Sequence, residues 1–170
     1  MTTYIALLRA VNVGGTGKLA MADLKEICRQ AGFDWVETYI ASGNVVFDSA
    51  SSPDSVKAEL AARLRSHTGK EVGIVVRTAK EMSAVLAANP LVPNDPKGSY
   101  VIFLDTPPPA DALAKISGQQ DEQIRLGGRE IYVHYPSGMG RSKLAIPAAR
   151  SGTARNMNTV TKLVEIASAR

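Results

Sequence analysis

The spacing of apolar residues along this chain changes several times, and each change marks an element. Residues 4–10, YIALLRA, are largely apolar on both alternating faces, the pattern of a strand covered on both sides or central in a sheet, with Arg9 on the face of Ile5 and Leu7. A glycine-rich turn, VNVGGTGK, follows. The period then becomes helical, with Met21, Leu24, Ile27, Cys28 and Ala31 on one stripe and Gly32 closing the helix. Two extended runs, VETYIAS and NVVFDS, flank Gly43, and Gly43-Asn44 reads as a tight hairpin. Ser52, Pro53 and Asp54 open a second helix, which buries Val56, Leu60 and Leu64 and ends at Gly69. EVGIVV, residues 71–76, predicts a fourth strand.

Strand, helix, strand, strand, helix, strand is the ferredoxin-like (βαββαβ) order. It predicts a four-stranded antiparallel sheet with two helices on one face and the first strand between the third and fourth. That topology brings the glycine loop after Ala10 close to residues 42–44. The result is a candidate ligand-binding surface of Asn12, Gly14, Gly15, Ser42 and Asn44, with Arg9 counted among its residues.

Beyond this, TAKE at residues 78–81 is a capping box that starts a helix through Met82, Val85 and Leu86. ANPLVPNDPKG, residues 88–98, carries three prolines and a glycine and reads as a linker. SYVIFLD predicts a strand, TPPPADALAKI a short helix, and QIRLGGREIYVHY a hairpin across Gly127 and Gly128; a last helix follows a polar loop. The expected fold class is therefore α+β. A ferredoxin-like subdomain spans residues 1–77, and a second, smaller α+β subdomain spans 78–170, with a loop at 91–98 and a basic C-terminal helix. No residue-level repeat relates the halves.

Composition narrows the function classes. A 170-residue chain with 45% hydrophobic and 21% charged residues can bury one sizeable core or two small ones, which excludes disorder. No run approaches the ~18 apolar residues of a membrane span. The N-terminus lacks a charged region with a cleavage site, so no signal peptide is expected. A single cysteine, Cys28, excludes an internal disulfide framework and a multi-cysteine zinc site. A cytoplasmic location with no membrane partner, no cofactor and no metal is the expectation.

Charge adds a local feature. Residues 136–170 hold Arg141, Lys143, Arg150, Arg155, Lys162 and Arg170 against Glu165 alone, so this segment is +5 within a chain of net +4. A concentrated positive patch attracts phosphate or nucleic acid. If Thr153 is the N-cap of the last helix, Arg155 stands in its first turn, where the macrodipole opposes a cation. At 100° per residue Asn158, Thr159 and Lys162 fall within about 60° of Arg155, while Val160, Leu163, Val164 and Ala167 form the apolar side. An anion at the helix start reverses the penalty, because backbone N–H groups, Thr153 and the guanidinium can donate to the same oxygens. GMGRSKL, residues 138–144, adds Arg141, Ser142 and Lys143 from a glycine-rich loop. The alternative is that Arg155 pairs internally and the ladder joins the two subdomains.

RAVNVGG, TYIASGNVVFD, ANPL, IYVHYPSGMGRSKL and GTARNMNTVTKL, in that order, resemble a bacterial family catalogued as domain of unknown function 1697, over about residues 4–167. The resemblance implies a compact α+β protein of two subdomains, the first ferredoxin-like, with no established activity, cofactor or catalytic residue. The family usually shows glycine at the position of Ala10 and tryptophan at that of Met157.

Other chemistry finds little purchase. GGTGK, residues 14–18, misses the P-loop pattern, which needs glycine at Asn12 and a hydroxyl at Leu19. Cys28 lies on an apolar stripe, and His67 and His134 have no pattern of ligands beside them. The expected function is binding of an anionic ligand, a phosphorylated small molecule, nucleotide or RNA, near the C-terminal helix, with Tyr39 and Tyr132 as possible stacking faces. The alternative is a protein-interaction or structural module without a small ligand. A third reading, phosphotransfer or hydrolysis through Ser142 or Thr159, lacks a base. Oligomeric state is left open.

Overall fold

The computed structural model describes residues 1–12, 18–91 and 97–169. Its first elements are β1 (Thr2–Leu8), α1 (Met21–Gln30), β2 (Asp34–Thr38), β3 (Asn44–Ser49), α2 (Pro53–Thr68), β4 (Ile74–Thr78) and α3 (Ala79–Ala87). The strands form an antiparallel sheet in the order β2-β3-β1-β4. Alternation along β1 sends Tyr4, Ala6 and Leu8 into a core shared with Leu24, Ile27 and Cys28 of α1, Val56, Leu60 and Leu64 of α2, and Val45 and Phe47 of β3. Phe33 stacks on Phe47 with ring centroids 4.3 Å apart. On the opposite face Ile5, Leu7, Val46 and Val75 are buried too, as is Arg77. Both faces of β1 are covered, as its apolar run predicts.

Local signals set the element ends. Ser52 Oγ accepts from the Ser55 amide at 3.2 Å, and Gly69 closes α2 in the left-handed region at φ 75°. The Thr78–Glu81 capping box forms in both directions: the Thr78 amide donates to Glu81 Oε1 at 2.9 Å, and the Glu81 amide to Thr78 Oγ1 at 3.1 Å.

The fourth strand is later than expected, starting at Ile74, because Gly73 is the point at which the chain meets Arg9 and β1. The Gly43-Asn44 turn is also not a two-residue hairpin. β2 ends at Thr38, Asn44 belongs to β3 opposite Leu7, and the connection is the five residues between. Asn44 Nδ2 donates to Tyr39 O and Ser42 Oγ, both at 2.9 Å, so its amide shapes a wider loop instead of a tight turn.

Ala10 has φ 57°, where a Cβ costs roughly 1–2 kcal/mol and glycine almost nothing. This is the position at which the resemblance expects glycine. Ala10→Gly is expected to stabilise the protein by about 1 kcal/mol, read as a rise in the urea midpoint.

The second set of elements is β5 (Ser99–Phe103), a 3-10 turn at Ala112–Lys115, β6 (Gln123–Leu126), β7 (Glu130–His134), 3-10 turns at Met139–Arg141 and Pro147–Ala149, β8 (Thr153–Asn156) and α4 (Met157–Ser168). These strands form a second antiparallel sheet, β6-β7-β5-β8. Ile102, Ile124, Ile131, Val133 and Tyr135 share one face of it with Ile146.

β8 corrects the reading of the chain's last stretch. Residues 153–156 pair with β5, Arg155 opposite Val101, so Arg155 lies in a strand and not in a helix turn. The N-cap is Asn156, whose Oδ1 accepts from the Thr159 amide at 2.9 Å, and not Thr153. Four residues are too few to show a strand period, and pairing with β5 overrides the helical spacing that Arg155 shares with Asn158 and Thr159. The supposed conflict with the macrodipole does not arise.

By contacts the chain divides into two compact units, Met1–Ser83 with Lys162–Arg170, and Ala84–Thr161. Among the described residues no helix is long and apolar enough to cross a membrane. The architecture is mixed α and β, with two four-stranded antiparallel sheets and four α-helices among the described residues.

Candidate functional site

The GMGRSKL loop folds into a wall of a small cavity within the second unit. The chain leaves β7 at His134, and Tyr135 donates its amide to Gly98 O at 2.7 Å. Gly138, at φ 90°, turns the chain in a conformation that suits glycine. A 3-10 turn then delivers Ser142, whose backbone is extended. The segment is held from below. Ser117 and Ala145 exchange two backbone hydrogen bonds, at 3.0 and 2.8 Å, and Gly118 lies so close that a Cβ there would stand 2.1 Å from Lys143 O.

Opposite the loop stands Gln120-Asp121-Glu122. Glu122 Oε1 accepts from the Gln120 amide at 2.7 Å, and its other oxygen accepts from the Ser142 hydroxyl. The Ser137 hydroxyl donates to Asp121 Oδ2 at 2.6 Å. Asp121, Glu122, Tyr135, Arg141, Ser142 and Lys143 are among the residues that line a cavity of about 160 Å³.

Its electrostatics are distinctive. Glu122 is only 6% exposed, yet the Ser142 hydroxyl, followed by the Gln120 amide, holds its carboxyl below the ordinary range, so it is charged at neutral pH. Burial first, and then the Glu122 charge, keep the Tyr135 phenol above its ordinary value and protonated. Arg141 and Lys143 are exposed and make no ion pair among the described residues. Both acids are thus engaged by neutral donors, and both cations remain available. A carboxylate held low is a weak general base, so Ser142 and Glu122 make a poor nucleophile–base pair.

The other expected site residues lie apart from this cavity. Gly14 and Gly15, with most of the GGTGK reading, lie outside the described residues. Asn12 does meet the 42–44 loop region: its Nδ2 donates to Ala41 O at 2.8 Å and Leu19 O at 2.7 Å, while its Oδ1 accepts from the Leu19 amide at 2.6 Å. Every one of these bonds is internal, and the Asn44 amide is likewise satisfied by Tyr39 and Ser42. Arg9 is exposed and packs its stem beside Gly73.

Near the C-terminus, Thr153, Arg155 and Thr159 are buried, whereas Asn158 and Lys162 are exposed, so the five are not one open face. Arg155 donates Nη1 to Ala154 O at 2.9 Å, and burial draws its pKa down to about 10. Lys162 faces Glu165 at 3.8 Å. Neither tyrosine stands on a strand as an open stacking face. Tyr132 is buried with its hydroxyl on Val85 O at 3.0 Å, and Tyr39 is half-buried beyond the end of β2.

Sequence reasoning missed Glu122, because an acid in GQQDEQ reads as solvated loop. It also missed Trp35. This residue is 71% exposed, at φ 52°, on the edge strand β2 where the ladder slips between Asp34 and Glu37. The signal was its position in DWVET, a tryptophan among charged neighbours.

Cys28 is confirmed as core, and burial pushes its thiol up to about 12. It is expected to resist a thiol-specific disulfide reagent at pH 8 in the folded protein and to react within seconds in denaturant. Fast native labelling would contradict its placement. Among the described residues no group of three or more histidine, cysteine or acidic side chains could hold a metal ion.

The model of a family described as "Protein of unknown function (DUF1697)" matches residues 1–132. No curated protein matches the chain. A solved structure, that of the conserved bacterial protein SP0830 from Streptococcus pneumoniae, is similar at 26% identity with a TM-score of 0.83, covering 99% of each chain.

Proposed function

We propose, from the premise that the chain belongs to the DUF1697 family of proteins of unknown function, that it binds a small anionic ligand through Arg141 and Lys143. One observation carries this reading: both cations stand at a cavity whose acids are already occupied by the hydroxyls of Ser137 and Ser142. A phosphate or carboxylate meeting two cations makes charge-assisted hydrogen bonds, about twice as strong as neutral ones. The volume of about 160 Å³ lies below the ~300 Å³ at which sites for drug-sized ligands begin. That supports a ligand of few heavy atoms over an RNA strand. A ferredoxin-like first subdomain belongs to the same reading, supported by the order β2-β3-β1-β4, as does a cytoplasmic setting, supported by the lone buried thiol.

The test is thermal unfolding with phosphate, sulfate, small phosphomonoesters, nucleotides and a short RNA, on wild type and the Arg141→Ala/Lys143→Ala protein. A ligand at one hundred times its Kd adds about 2.7 kcal/mol, which raises the midpoint of a protein of this size by several degrees. The expected result is a rise in wild type with a small anion and none in the double variant, whose unliganded midpoint stays within about 2 °C because exposed charges contribute little. Equal responses in the two proteins would contradict the reading.

A second reading, a protein-interaction module, rests on Trp35. Bulky residues at positive φ are strained, and exposed tryptophans dominate many interfaces. Loss of a protein partner on Trp35→Ala with the anion response intact favours that role.

A further inference from the structure

The cavity is bipolar, with Asp121 and Glu122 in its lining as well as Arg141 and Lys143. Glu122 is a charged carboxylate, 6% exposed, and no cation pairs with it among the described residues. The hydrogen bonds that keep it ionised fix a negative charge at this wall of the cavity, which attracts a cation. The Glu122 oxygens accept from the Ser142 hydroxyl, the Gln120 amide and the residue's own amide, which leaves part of a carboxylate's acceptor capacity for a ligand. Asp121 lines the same cavity, and so do Arg141 and Lys143. A ligand with only negative charge engages the two cations and leaves the carboxylates' remaining acceptor capacity unused, whereas one that also carries a positive charge engages both.

We propose that the ligand is a small zwitterion, whose ammonium group lies against Glu122 and whose phosphate or carboxylate lies against Arg141 and Lys143. This rests on the anion-binding reading and adds the cationic end. The hydrogen bond from Ser142 to Glu122 gives the serine its role. It keeps the carboxylate ionised and aims it, and the same loop carries the cations on either side of Ser142. The separation between the ligand's charges is thereby fixed by one loop and its partner wall.

The test compares molecules that differ by the amine alone, by calorimetric titration of the full chain. O-phosphoethanolamine is set against ethyl phosphate, and β-alanine against propionate. In at least one pair the zwitterion is expected to bind at least tenfold more tightly, and the pair with the larger preference identifies the anionic end. Glu122→Gln keeps one acceptor oxygen and turns the other position into an NH2 that can donate to the Ser142 hydroxyl oxygen. It is expected to abolish the preference, with ethyl phosphate binding no more weakly than to wild type. The wild-type comparison stands by itself should this variant fold poorly. Equal binding within each pair overturns the zwitterion and leaves the anion site. A preference that survives in Glu122→Gln overturns the assignment of the ammonium to that carboxylate. No binding by any of the four compounds overturns both readings.

Discussion

Gly118→Ala is expected to destabilise the protein by about 3 kcal/mol and to abolish the cavity's ligand response together with it. Gly118 has φ 73°, and a Cβ there would sit 2.1 Å from Lys143 O and 2.8 Å from Lys143 C. The positive φ alone costs an alanine roughly 1–2 kcal/mol. The clash is with backbone, so no side-chain rotation relieves it, and forced shifts of this kind cost ~1–3 kcal/mol more. What must move is the segment paired at Ser117 and Ala145, the base of the loop that carries Arg141, Ser142 and Lys143. Gly128→Ala is the control. No atom lies within 4 Å of a Cβ there, so it is expected to change stability by less than about 0.5 kcal/mol. Urea unfolding of both variants reads the difference. Equal midpoints for the two would show that the loop is not braced at Gly118.

Asn12→Ala is expected to cost about 2–3 kcal/mol without altering the cavity's affinity for a small anion. The side chain makes three hydrogen bonds, two to Leu19 and one to Ala41, at 2.6–2.8 Å. Each is worth roughly 1 kcal/mol, more where a buried partner is left unsatisfied. Leu19 is such a residue, at 2% exposure. Asn12 also has φ 57°, which asparagine tolerates better than alanine. Asn12→Gly removes the bonds without the strain and is expected to lose about 1 kcal/mol less. If Asn12→Ala weakens anion binding with little loss of stability, the loop at Asn12 is a contact surface and not an internal clasp.

The elements that sequence reading placed well were those with a long period or a specific cap. α2 shows both, with Ser52 before it, Pro53 at its first position, Gly69 after it and Val56, Leu60 and Leu64 buried. β1 was legible because seven residues of mostly apolar character have few other uses. What failed was short. β8 is four residues whose identity as a strand comes from pairing with β5, information that lies some fifty positions away. Arg155 therefore looked like a helix residue opposing a dipole, whereas it is a strand residue turned inward. The wider loop before Asn44 was hidden for a related reason. A side-chain amide shapes it, and Gly-Asn reads the same whether the asparagine turns or begins a strand.

The candidate site was half legible. Arg141 and Lys143 stood out as cations on either side of Ser142 in a glycine-rich loop, and the structure gathers all three at one cavity. Their acidic counterpart could not be seen. Glu122 lies about twenty residues earlier in a polar stretch, and only the fold turns it toward Ser142. The charges of the last stretch stood out through local density and an apparent helical spacing, yet Arg155 is buried in a strand and Lys162 faces Glu165.

Whether a small anion binds at the surface between Glu122 and the Arg141–Lys143 loop is read from backbone amide shifts during titration of ¹⁵N-labelled protein with ethyl phosphate and with O-phosphoethanolamine. Saturable shifts are expected at residues 120–122 and 137–143, with residues 9–12, 42–44 and 153–162 unmoved. Shifts confined to those latter segments, or none at millimolar ligand, would contradict binding at that surface.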